Sequence, residues 1–118
     1  MNDALFKARV EAYGKFISVY YGRLFDKRKR KSGQIFPDEY KGLLEARSAI
    51  VAVGSGAVIN AIMDWNEISK RTFEESKEKG EEKTDATMAL MKVFVNMRID
   101  LGCEDLTEND LLPYFLGG

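Results

Sequence analysis

Gly54-Ser55-Gly56 is the stretch whose residue types and spacing come nearest to phosphate chemistry, because a glycine-rich turn opening a helix can present backbone N–H groups to an anion. A dinucleotide-binding turn also needs a strand before it and a third glycine three residues after the second. Here that position is Ile59, and the β-branched run AIVAV has no second strand to pair with. A corner between two helices accounts for the same residues with less. Gly54 is expected to end one helix in a left-handed conformation, Ser55 to cap the next through its hydroxyl, and Gly56 to let the two backbones pass closely.

The remaining reactive residue types narrow the chemistry further. Histidine is absent and cysteine occurs once, at Cys103, so zinc sites, Cys/His pairs and Ser-His-Asp triads have no place within this sequence. Cys103 is read as a structural thiol near a helix end, with no histidine to activate it as a nucleophile. Glu74, Glu75, Glu78, Glu81 and Glu82 form an acidic group, but they alternate with lysines and read as a solvated helix face rather than a metal site. No catalytic residue, metal ligand or cofactor is assigned. Arg47 and Arg98 lie on otherwise apolar surfaces and are expected to be paired, as structural clamps or as an anion or ligand site, with Glu45, Asp64, Glu67 and Asp100 as candidate partners.

Charge is unevenly spread along the chain. Net charge is −1 overall, yet residues 1–31 hold nine basic and three acidic side chains and the rest nine and sixteen. Much of the positive end is the run Lys27-Arg28-Lys29-Arg30-Lys31, which with Arg23 forms a candidate contact for nucleic acid or another anionic surface. The simpler account places this run in the last turns of a helix, where cations complement the helix dipole.

These residues must be carried by helices. Phe6, Val10, Tyr13, Ile17, Tyr20 and Leu24 recur in steps of four and three, predicting one long helix from Asp3 to about Lys31. A second runs from Pro37 to Val53 with Tyr40, Leu43, Leu44, Arg47, Ile50 and Val51 inward. A third runs from Gly56 to about Lys79 with Val58, Ile62, Trp65 and Ile68 inward. A fourth, capped by Thr84 or Asp85 and ended by Gly102, is apolar on nearly every side and so is either central or covered by a partner. Thr107 to Asp110 signal a short last helix, limited by Pro113 to a turn or two. The expected fold is all-α, four main helices plus a short C-terminal one, in a single domain over residues 1–118. With Tyr13 and Tyr20 assigned to the core, Phe16, Tyr21 and Phe25 are left as a second apolar face and a candidate interface for a homodimer or a protein partner.

The segments EARSAIVAVGSGAVINAIMDW and MKVFVNMRIDLGCEDLTENDLL resemble a pattern found in uncharacterised prokaryotic and phage helical domains. There an arginine-bearing helix runs into a Gly-Ser corner, and a later helix ends in Met-Arg-x-Asp-Leu-Gly before an acidic, leucine-containing tail. The resemblance covers Tyr40 to Leu112 and brings no catalytic activity with it. Many such domains follow a transmembrane segment, but no apolar run in this sequence approaches the roughly 18 residues that span a bilayer. No secretory signal is visible either, so a cytoplasmic location is expected. The function expected from the sequence is a non-enzymatic interaction or adaptor domain that self-associates, with nucleic-acid or anionic-surface binding through Lys27 to Lys31 as the alternative.

Overall fold

The structure is a computed structural model and describes residues 3–24, 26–29, 34–75 and 81–115; of residues 24, 72–75 and 81–84 it describes the backbone alone. The described residues form five helices, α1 (Asp3–Leu24), α2 (Pro37–Val53), α3 (Gly56–Glu75), α4 (Glu81–Asp100) and α5 (Glu108–Phe115), with no strand among them. The chain is all-α, and it divides into two compact units, Met1–Gly54 and Ser55–Gly118.

In the first unit α1 and α2 pack as an antiparallel pair. The register is fixed by contacts along its whole length: Arg9 Nε donates to Val53 O at 2.7 Å, Lys15 pairs with Glu45 at 2.9 Å, Arg47 Nε donates to Tyr20 Oη at 3.1 Å, and Arg23 Nε lies 3.5 Å from the Glu39 carboxylate. The first of these also caps the end of α2, since Val53 O is one of the carbonyls a helix cannot satisfy internally. The inward face of α1 is Ala12, Tyr13, Phe16 and Tyr20, and that of α2 is Leu43, Ala46 and Ile50. Phe6 and Val10 of the expected seam are exposed, as are Tyr40, Leu44 and Val51 of the expected α2 face.

Helix α1 stops at Leu24, not near Lys31. The cause is local: Asp26 N–H donates back to Arg23 O at 3.3 Å, and the Asp26 carboxylate then accepts the Arg28 backbone N–H at 2.9 Å. An aspartate that bonds the backbone two residues on offers the chain a turn in place of another helical turn. The helix-dipole account therefore fails for Lys27, Arg28 and Lys29, which lie beyond the helix. At α2, Pro37 takes the first helical position and Glu39 accepts the Phe36 N–H at 2.9 Å.

The corner at Gly54 also departs from expectation. Gly54 is extended, with φ −66 and ψ 145, so no left-handed turn ends α2. Glycine is required there by space, because a Cβ would sit 2.7 Å from Ile50 O. Gly56, the expected point of close approach, has open space around it. Ser55 does cap α3, its Oγ accepting the Val58 N–H at 3.2 Å.

In the second unit α4 packs on α3 and on α5. Leu90, Met91, Val93, Phe94, Val95 and Met97 are all buried, which spreads the core over more than half the circumference of α4 and makes it the central helix. Its end is a Schellman motif. Gly102 is left-handed at φ +85, Cys103 N–H donates to Arg98 O at 2.8 Å, and Gly102 N–H donates to Ile99 O at 3.0 Å. Helix α5 opens on a reciprocal cap. Asp110 accepts the Thr107 N–H at 2.9 Å and the Thr107 hydroxyl at 3.0 Å, and Phe115 then packs on Phe94 with ring centroids 5.6 Å apart. Pro113 sits within this helix without ending it.

Candidate interaction surface

The structure places most, though not all, of the residues singled out in the sequence. Arg28 is committed to structure: its guanidinium donates to Asp26 at 2.6 Å and to Asp38 at 2.9 Å, and it lies 4.0 Å from the centroid of the Phe36 ring. Bonding to these two carboxylates raises the Arg28 pKa still further above its usual range, and the Arg28 contact holds the Asp38 carboxyl below the usual carboxylate range. Arg23 is turned to Glu39 and to Gln34 O, the latter at 3.2 Å. Lys27 and Lys29 are exposed, while Phe25, Arg30 and Lys31 lie outside the described residues.

Phe16 is not an interface residue. It is fully buried, its ring 4.5 Å from that of Tyr20, and belongs to the core face of α1. Tyr21 is half-buried. Arg47 is exposed and joins α2 to α1 through the Tyr20 hydroxyl. Arg98 does meet a carboxylate, but it is Asp105, at 2.8 Å in the α4–α5 connection, and this bond holds the Asp105 carboxyl below its ordinary range. Cys103 is exposed and free.

A helical wheel at about 100° per residue organises the exposed apolar side chains of the first unit. On α2, Tyr40, Leu44, Arg47 and Val51 fall in one stripe, about a quarter turn from the buried face. On α1, Phe6, Val10, Gly14, Ile17 and Tyr21 fall in a stripe displaced from its buried face by the same amount and in the same sense. Antiparallel helices are related by a two-fold perpendicular to their axes, so stripes displaced in the same sense lie on the same side of the pair. Known contacts bear this out. Lys15 and Glu45, displaced the other way on both helices, pair across the opposite side, and Val19 meets Gly42 there.

One side of the α1–α2 pair is thus a nearly continuous apolar surface. Tyr40 is 56% exposed, Leu44 49%, Val51 78%, Val10 43% and Phe6 39%. Isolated exposed apolar residues are ordinary, but here several are aligned on one side of a helix pair. Arg47 suits such a place, since its methylene stem covers apolar neighbours while the guanidinium reaches Tyr20. The signal for this surface was present in the sequence as two apolar stripes on α2. Only the stripe lacking a charge, Leu43, Ala46 and Ile50, turns inward.

The second unit carries an open cleft of about 720 Å³ with Ala61, Ile68, Met88 and Ala89 among its apolar lining and Asp64, Glu67, Arg71, Asp85, Lys92 and Glu108 as its charges. Neither Arg47 nor Arg98 lines it. No group of three potential metal ligands converges among the described residues, and the side chains of Glu74, Glu75, Glu78, Glu81 and Glu82 lie outside them.

No protein-family model, curated protein or solved structure matches the chain. No helix among the described residues is long and apolar enough to cross a membrane.

Proposed function

We propose that this chain is a non-enzymatic helical interaction module of a prokaryotic or phage protein, acting through self-association by the apolar side of its α1–α2 pair. The observation that carries this reading is the exposure of Tyr40, Leu44 and Val51 in one stripe, a pattern that leaves about 1.5 kcal/mol or more per fully covered side chain to be gained on docking. A cytoplasmic location is part of the proposal, since a single exposed thiol without a partner suits a reducing compartment.

Binding of nucleic acid or an anionic surface through the basic run has Lys27 and Lys29 in its favour, both exposed. It is weakened at Arg28, whose guanidinium is already paired with Asp26 and Asp38. Light scattering after size exclusion separates the two readings. A dimer, twice 13.4 kDa, that persists at low and high salt supports self-association through apolar surface, because salt screens charge contacts and not apolar burial. A monomer at both salts and at every loading concentration overturns it, and steeply salt-dependent retention of a nucleic acid lost in the Lys27→Gln, Lys29→Gln variant establishes the alternative.

A further inference from the structure

The apolar side of the α1–α2 pair has an internal symmetry that specifies how a second copy would sit on it. On α2 the stripe Tyr40, Leu44, Arg47, Val51 advances by four, three and four, so it reads the same in both directions about a centre between Glu45 and Ala46. On α1 the residues Val10, Gly14, Ile17 and Tyr21 repeat the same steps about a centre between Lys15 and Phe16. The two centres lie at the same level of the helix pair, because Lys15 and Glu45, one beside each centre, are in direct contact at 2.9 Å.

We infer that the partner is a second copy of this chain, docked face to face about a two-fold axis that passes through this level perpendicular to the helices. The inference rests on the self-association reading and specifies its geometry. The axis sets α2 antiparallel to the partner's α2, so that Tyr40 opposes the partner's Val51 and Leu44 opposes the partner's Arg47. It sets α1 antiparallel to the partner's α1, so that Val10 opposes the partner's Tyr21 and Gly14 opposes the partner's Ile17. Each pairing sets a larger side chain against a smaller one or an apolar one against the stem of an arginine. Gly14 has nothing within 4 Å of where a Cβ would stand, which leaves room for isoleucine. Parallel pairing would instead stack Arg47 on the partner's Arg47 and Tyr40 on its own copy, juxtaposing like charges.

The surface is two helices wide, about 20 Å, and α2 contributes about 17 Å of length between Tyr40 and Val51. That footprint, about 340 Å², is well below the roughly 800 Å² per partner of a standard stable interface, so the dimer is of the weak, concentration-dependent kind.

The test exploits the opposition of Leu44 and Arg47. Leu44→Glu places two carboxylates against two guanidinium groups across the axis, whereas Leu44→Lys places like charges there. Leu44 is half exposed, so neither change threatens the fold, which circular dichroism verifies for each variant. In sedimentation equilibrium at low salt, Leu44→Glu is expected to dimerise at least about tenfold more tightly than Leu44→Lys. In an Arg47→Glu background the order is expected to invert. If both variants weaken the dimer equally and no inversion occurs, this geometry is overturned while self-association stands. If the unaltered chain is monomeric at every concentration, the underlying reading falls with it.

Discussion

Phe16 and Tyr40 exchange the roles their sequence contexts suggested, and the exchange is measurable. Phe16→Ala empties a fully buried site and is expected to cost about 3–5 kcal/mol in urea unfolding, while Tyr40→Ala stays within about 0.5 kcal/mol. The glycines divide in the same way. Gly54→Ala forces a Cβ to within 2.7 Å of Ile50 O and is expected to destabilise by about 1–3 kcal/mol, whereas Gly56→Ala meets open space and is expected to stabilise by about 0.5 kcal/mol. Equal effects at the two positions, read from thermal unfolding, contradict the account of the corner given above. Sequence reasoning correctly found glycine, serine, glycine at a helix junction, but it assigned the spatial constraint to the wrong glycine. The reason is physical: a close approach to Ile50 O depends on the path of the backbone, and no residue type announces it.

At the scale of the element, the end of α1 is decided by Asp26 and Arg28 rather than by the dipole of a longer helix. Asp38 has a folded pKa below its unfolded value because Arg28 bonds its charged form. The stability this linkage supplies is present at neutral pH, above the unfolded pKa, and is lost as pH falls through the depressed folded value. The unaltered chain is therefore expected to lose more stability between pH 7 and pH 3 than the Arg28→Gln variant, a comparison that urea midpoints across that range make directly. Asp110 behaves in the same sense, with Thr107 backbone and hydroxyl bonds lowering its pKa. Thr107→Ala is expected to cost about 1 kcal/mol by removing the cap of α5. The cap signals at Pro37, Ser55, Gly102 and Thr107 were legible because they are local, each satisfied within a few residues. The length of α1 was not, since a heptad pattern that runs on to Leu24 says nothing of the aspartate that turns the chain two residues later.

For the whole molecule, the apolar side of α1–α2 makes a prediction of its own. If the apolar side pairs two copies, folding is coupled to association, and the apparent Tm rises with protein concentration by mass action. Val51→Lys, on a side chain 78% exposed in the last turn of α2, where a cation suits the helix dipole, removes that dependence without lowering the Tm measured at low concentration. An unchanged slope in that variant shows that the copies meet elsewhere or not at all.

Helical periodicity, glycine and proline punctuation and capping side chains specify the all-α class, the five helices of the described residues and several of their ends, because each is an interaction among near neighbours in the chain. The absence of histidine likewise bounds the chemistry before any fold is known. Which apolar stripe of a helix is core is another matter. On α2 two stripes a quarter turn apart are both apolar enough to bury, and only packing against α1 selects Leu43, Ala46 and Ile50 and leaves Tyr40, Leu44 and Val51 outside. On α1 the same selection draws Phe16 inward and leaves Phe6 and Val10 exposed. Burial is a property of opposed surfaces, and a single helix contains no record of which of its faces will be met.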